Sequence, residues 1–111
     1  MSLSLALTIN TGGPDPATVW DGWNYTHNVN PMWWAALPSG ESLGGFLEGK
    51  TVSETLPDLR AAHAVMAEDP GRFRAMNPEN GWGDYDTALE ALRAVIEAAD
   101  AHPLCSWWVS R

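Results

Sequence analysis

The sequence predicts an α+β fold: a small antiparallel sheet that includes the N- and C-terminal strands, packed by about three helices, in one domain spanning residues 1–111. Three observations predict it. Leu3, Leu5, Leu7 and Ile9 alternate with Ser4, Ala6 and Thr8, the period of a half-buried strand. Between Asp84 and His102, the residues Tyr85, Leu89, Leu92, Val95, Ile96 and Ala99 recur at helical spacing, opposite Asp86, Glu90, Arg93, Glu97 and Asp100. After Pro103, the run Leu104 to Ser110 reads as a closing strand with Cys105, Trp107 and Val109 on one face.

The intervening elements follow from local chemistry. Thr11 to Pro16 carries two glycines and two prolines and breaks the first strand. Thr18 to Trp23 is expected as a second, short strand, and Asn24 to Asn30 as a polar, irregular segment. Asn30-Pro31 suits a helix start, Asn as the cap and Pro at the first helical position, and Pro38-Ser39-Gly40 stops that helix after Leu37. Gly44, Gly45 and Gly49 make Glu41 to Lys50 an expected mobile loop. The next helix is expected from Ser53 or Leu56 to Asp69, with Leu56, Leu59, Ala62, His63 and Met66 on one stripe. Pro70-Gly71 ends it, Arg72 to Met76 adds a turn, and Asn77 to Gly81 is turn chemistry. Asp84 is placed to cap the long helix.

Composition narrows the function classes. Six Lys+Arg against fourteen Asp+Glu give a net charge of −8, and only Arg72 and Arg74 lie close together, so the basic footprint that nucleic acid or an anionic membrane requires is missing. No stretch approaches a membrane-spanning length. The single cysteine, Cys105, excludes an internal disulfide and fits a reducing, cytoplasmic setting; its apolar neighbours imply a buried, unreactive thiol. The N-terminus has no positive leader and reads as a strand. His27, His63 and His102 have no second His or Cys at ligand spacing, so neither a metal nor another cofactor is expected, and His63 is expected as a hydrogen-bonded core histidine.

Two segments stand out as candidate sites. Residues 23–34 set Asn24, Thr26, His27 and Asn28 among aromatics just ahead of a helix N-terminus, where free N–H groups favour an accepting ligand. Residues 77–85 hold Trp82 between Gly81 and Gly83, a backbone free to turn tightly while the indole projects. Each also has a plain reading, as a satisfied helix start and as a connecting turn with a hydrophobic plug. If both bind, the ligand-contacting residues are Asn24, Thr26, His27, Asn28, Asn80, Trp82 and Asp84, and the two segments lie against each other.

The motifs Asn24-Tyr25-Thr26-His27-Asn28 with Met32, then Asn77-Pro78-Glu79-Asn80-Gly81-Trp82-Gly83, then a long helix and a terminal strand, resemble a family of small phage and bacterial proteins without an established activity. The resemblance covers most of the chain after residue 20 and implies a cytosolic or phage-encoded accessory role, with no catalytic residue to carry over. Three functions are therefore weighed. The first is a module binding a small polar ligand at Asn24–Asn28. The second is an interaction or homo-oligomeric module, because in the pairs Trp33-Trp34 and Trp107-Trp108 one indole must face away from the core. The third is a small enzyme with His27 as general base and Asp84 or Tyr85 as its partner.

Overall fold

The computed structural model describes residues 2–10, 12–14, 16–26, 30–77 and 84–110, and for residues 2, 22–26 and 30 the backbone alone. In order, these form β1 (Ser2–Ile9), β2 (Ala17–Thr26), α1 (Asn30–Ala36), α2 (Leu43–Leu47), α3 (Val52–Glu68), α4 (Pro70–Arg74), α5 (Tyr85–Ala101) and β3 (Ser106–Ser110). The fold is α+β, as expected: an antiparallel sheet of order β2-β1-β3 holds the first and last strands. Of the five helices among the described residues, α2 and α4 are five-residue additions to the three longer ones.

The alternation in β1 sets the architecture. Leu3, Leu5 and Leu7 are buried against the helices, so Ser4, Ala6 and Thr8 belong to the opposite face. Leu7 pairs with Trp20 on one side and Trp107 on the other, and the two indoles meet edge-to-face, centroids 6.3 Å apart. Trp107 is buried and its Nε1 donates to Thr55 Oγ1 at 2.8 Å; Trp33 is buried and its Nε1 donates to the Ala88 carbonyl at 3.2 Å. Each indole thus ties one element to a distant helix, β3 to α3 and α1 to α5.

Helix α3 begins at Val52, ahead of the expected start. Thr51 caps it with a capping box: its Oγ1 accepts from Glu54 N, and the Glu54 carboxylate accepts from Thr51 N. Pro57 lies one turn in on the exposed side, where solvent reaches the Ser53 carbonyl that a proline nitrogen cannot serve. Pro70 does not merely end α3; it opens α4. Lacking an N–H, Pro70 also cannot serve the Met66 carbonyl four residues back, and the buried Tyr85 hydroxyl donates to it at 2.7 Å.

Three further expectations need correction. The stretch 41–50 is not a loop throughout: Ser42 Oγ accepts from Gly45 N at 3.2 Å and starts α2, whose Leu43, Phe46 and Leu47 are buried. Burial of three large apolar side chains outweighs the helix cost of Gly44 and Gly45. Residues 24–26, expected to be irregular, continue β2, because Ser2 to Ser4 offer them a partner backbone. His63 is not a core residue. The buried stripe of α3 is Val52, Thr55, Leu59, Ala62 and Met66, which leaves His63 half-buried on its flank.

Candidate functional site

The solvent face of the sheet is organised by two register shifts. Ser4 pairs with Asn24, Ala6 with Asp21 and Thr8 with Thr18, so each shift leaves one extra residue on β2. Positions 18, 21 and 24 of β2 therefore stand opposite 8, 6 and 4 of β1, a spacing of three that an unbroken strand would not give. On the other side Ser4 pairs with Ser110, Ala6 with Trp108 and Thr8 with Ser106. Three rows result: Asn24-Ser4-Ser110, Asp21-Ala6-Trp108 and Thr18-Thr8-Ser106.

Trp108 is the feature of this face. Its neighbour Trp107 is locked inward by the bond to Thr55, so strand alternation sends Trp108 outward, where it remains 51% exposed. Beside it Ala6 is only 5% exposed, although it lies on the solvent face. Among the described side chains of the three rows, the indole is the one large enough to shade it. Asp21 is exposed at the far end of the same row, about 10 Å away across two strand spacings. The described neighbours Ser4, Thr8, Thr18, Ser106 and Ser110 are all hydroxylated.

The expected site residues distribute as follows. Asn24 and Thr26 lie on β2, opposite Ser4 and Ser2. Asp84 caps α5, its carboxylate accepting from Thr87 N at 2.8 Å, and this backbone hydrogen bond, with a second from the Thr87 side chain, holds its pKa below the ordinary value. That is a structural duty on an exposed residue. His27, Asn28, Asn80 and Trp82 lie outside the described residues, as does the expected contact between their two segments. Asp21 and Trp108 were not singled out as ligand-contacting residues. The Trp107-Trp108 doublet signals an outward indole, whereas the partnership with Asp21 depends on pairing register.

A second feature is a shallow cleft of about 300 Å³ between α3 and α5, lined by Arg60, His63, Ala64, Arg93, Ile96 and Asp100. Its charges are paired. Arg60 bonds Asp100, and Arg93 bonds both Glu90 and Glu97. The hydrogen bonds to Glu90 and then Glu97 raise the Arg93 pKa, and the bond from Arg93 lowers that of Glu90. With Arg60 and Arg93 engaged by three carboxylates, the cleft is a cross-helix charge network more than a receptive pocket.

Among the described residues no group of three or more His, Cys, Asp or Glu is disposed to hold a metal ion, and no helix is long and apolar enough to cross a membrane. Comparison with protein-family models, with curated proteins and with solved structures finds no match.

Proposed function

We propose that the chain is a non-catalytic module that binds a small polar ligand on the solvent face of its sheet, beside the strand that leads into Asn24–Asn28. The observation that carries this reading is Trp108, half exposed among small hydroxylated side chains in the row of Asp21 and Ala6. About half of the indole is left over from packing, and that half offers a ligand a large, rigid contact surface. The likeness of the two Asn-rich motifs to phage and bacterial proteins adds the suggestion of a cytosolic accessory role. A test is an amide and indole NMR titration with a library of metabolites and nucleotides. Shifts should cluster on Ser4–Thr8, Thr18–Asn24 and Ser106–Ser110; shifts confined to the α3–α5 cleft, or none, would overturn the reading.

A second reading, an interaction or homo-oligomeric module, is favoured by Trp34, 48% exposed on α1, and by the outer edge of β2, beside which no strand pairs among the described residues. Light scattering on the wild type and on Trp34→Ser tests it. A concentration-dependent mass that Trp34→Ser reduces supports it, and a monomer at all concentrations removes it.

A further inference from the structure

We infer that α1 carries a self-association surface: the stripe Pro31, Trp34, Ala35 and Pro38 packs against the same stripe of a second copy of this chain. The inference rests on the interaction reading just given and names its partner. From Pro31 to Pro38 every residue is apolar. Leu37 N donates to the Trp33 carbonyl at 2.8 Å, so the helical spiral continues past Ala36 toward Pro38. A helix that is apolar all round is expected to be covered all round. Here the covering is half complete. Met32, Trp33, Ala36 and Leu37 are buried in the core, whereas Pro31, Trp34 and Pro38 are exposed and Ala35 is partly so. These four lie at i, i+3, i+4 and i+7, one continuous face turned away from the core.

Charge and symmetry single out a second copy as the occupant. Residues 22–40 hold no Asp, Glu, Lys or Arg, the longest such run in a chain of net charge −8. Two like-charged copies repel each other, and least where neither presents a charge. A cationic partner, drawn to the acidic surface elsewhere, finds no carboxylate on this stripe to pair with. The second copy brings a matching apolar face because it carries the same residues, so a single two-fold contact covers both stripes. The outer edge of β2 is the poorer seam. Its two bulges interrupt the regular ladder that a partner strand needs, a device that protects edges from pairing.

The area sets the strength. With Trp34 half exposed between two exposed prolines, the stripe offers about 250 Å² of apolar surface. Two copies hide about 500 Å² together, against about 1,200 Å² or more in stable complexes. The dimer is therefore weak and reversible, with a dissociation constant of about 0.1–1 mM. Added salt screens the repulsion between the copies, so association strengthens with ionic strength, opposite to a contact built on ion pairs.

The experiment is sedimentation equilibrium with an amide NMR dilution series on the full chain, from micromolar to millimolar, at low and at high sodium chloride. A concentration-dependent mass is expected, with shifts centred on residues 31–38 and association about three- to tenfold tighter at high salt. Trp34→Ser should weaken association about tenfold and Trp34→Phe less, both with wild-type spectra away from α1. In a mixture of isotope-labelled and unlabelled chains, isotope-filtered spectra should show contacts between copies from the Trp34 ring. Self-association unchanged by Trp34→Ser, with shifts along β2, would overturn this inference and leave the interaction reading standing. Association that weakens with salt would do the same. A monomer whose Trp34 signal responds to phosphatidylcholine vesicles would overturn the second copy in favour of a membrane surface, and a monomer without that response would overturn both readings.

Discussion

Thr55 is fully buried, and its hydroxyl stands between two elements: it accepts from Trp107 Nε1 at 2.8 Å and donates to the Val52 carbonyl at 3.0 Å. Replacing it by Val keeps the volume and the branched shape, so no cavity term arises, but it strands a buried indole N–H. An unsatisfied buried donor costs about 1–3 kcal/mol, whereas removing both partners costs far less. Thr55→Val should therefore destabilise by about 2 kcal/mol, a fall of about 8 °C in Tm for a domain of this size. In a Trp107→Phe background, where no indole N–H remains, the same change should cost under about 0.7 kcal/mol, giving a coupling of about 1 kcal/mol or more. Urea unfolding of the four proteins in the cycle measures this, with an unchanged m-value showing that the unfolded state is not the cause. A Thr55→Val cost below about 0.5 kcal/mol in the wild type, or equal costs in both backgrounds, would refute the argument that this bond anchors β3 to α3.

Other perturbations test other links. Tyr85→Phe removes the hydroxyl that serves the Met66 carbonyl left unserved by Pro70, and should cost about 1–1.5 kcal/mol in chemical unfolding. Asp84→Ala should cost about 1 kcal/mol at neutral pH through loss of the α5 cap, while Asp84→Asn, also a good cap, should cost little. Because the folded pKa of Asp84 lies below its unfolded value, its contribution is present above about pH 4 and lost as pH falls through the folded value. The stability gap between wild type and Asp84→Asn should shift against the wild type on acidification, and a parallel pH profile for the two would contradict the assignment. Gly40 has φ +70 with open space where a Cβ would sit, so Gly40→Ala should cost about 1 kcal/mol from backbone strain alone. Gly71, in the first turn of α4 and equally unobstructed, should gain about 0.5 kcal/mol on substitution by Ala; thermal melts of both variants check the contrast.

What the sequence made legible is what depends on local periodicity. The alternation in Leu3–Ile9 and the helical spacing of Tyr85–Ala99 each report which side faces a core, and both faces are where that logic puts them. The illegible parts each have a physical cause. Helix α2 has glycines where propensity argues against helix, and it forms because Leu43, Phe46 and Leu47 find a core that only the tertiary fold supplies. His63 falls next to an apolar stripe but is one position off the buried line, a displacement of about 100° around the helix. The candidate site was the hardest to read, since two bulges in β2 convert a period of two into a spacing of three and so bring Asp21 into the row of Trp108.

The tryptophan doublets separate packing from surface use. A strand turns successive side chains by about 180° and a helix by about 100°, so a core that captures one indole of an adjacent pair must release the other toward solvent. Trp33 and Trp107 are the captured members, and each has its N–H satisfied across the core. The released indoles, 34 and 108, remain about half exposed, and an exposed indole carries a solubility penalty that a polar residue would avoid. Trp34 stands on a helix beside an exposed proline, Pro31, and the buried Met32 and Trp33, a setting that fits contact with another surface. Trp108 stands on the sheet beside hydroxylated residues and in the row of one carboxylate, a setting that fits a small polar ligand. The same sequence feature thus yields two distinct surfaces, and Trp34→Ser and Trp108→Ala should separate them: the first alters self-association without affecting ligand binding at the sheet, and the second does the reverse.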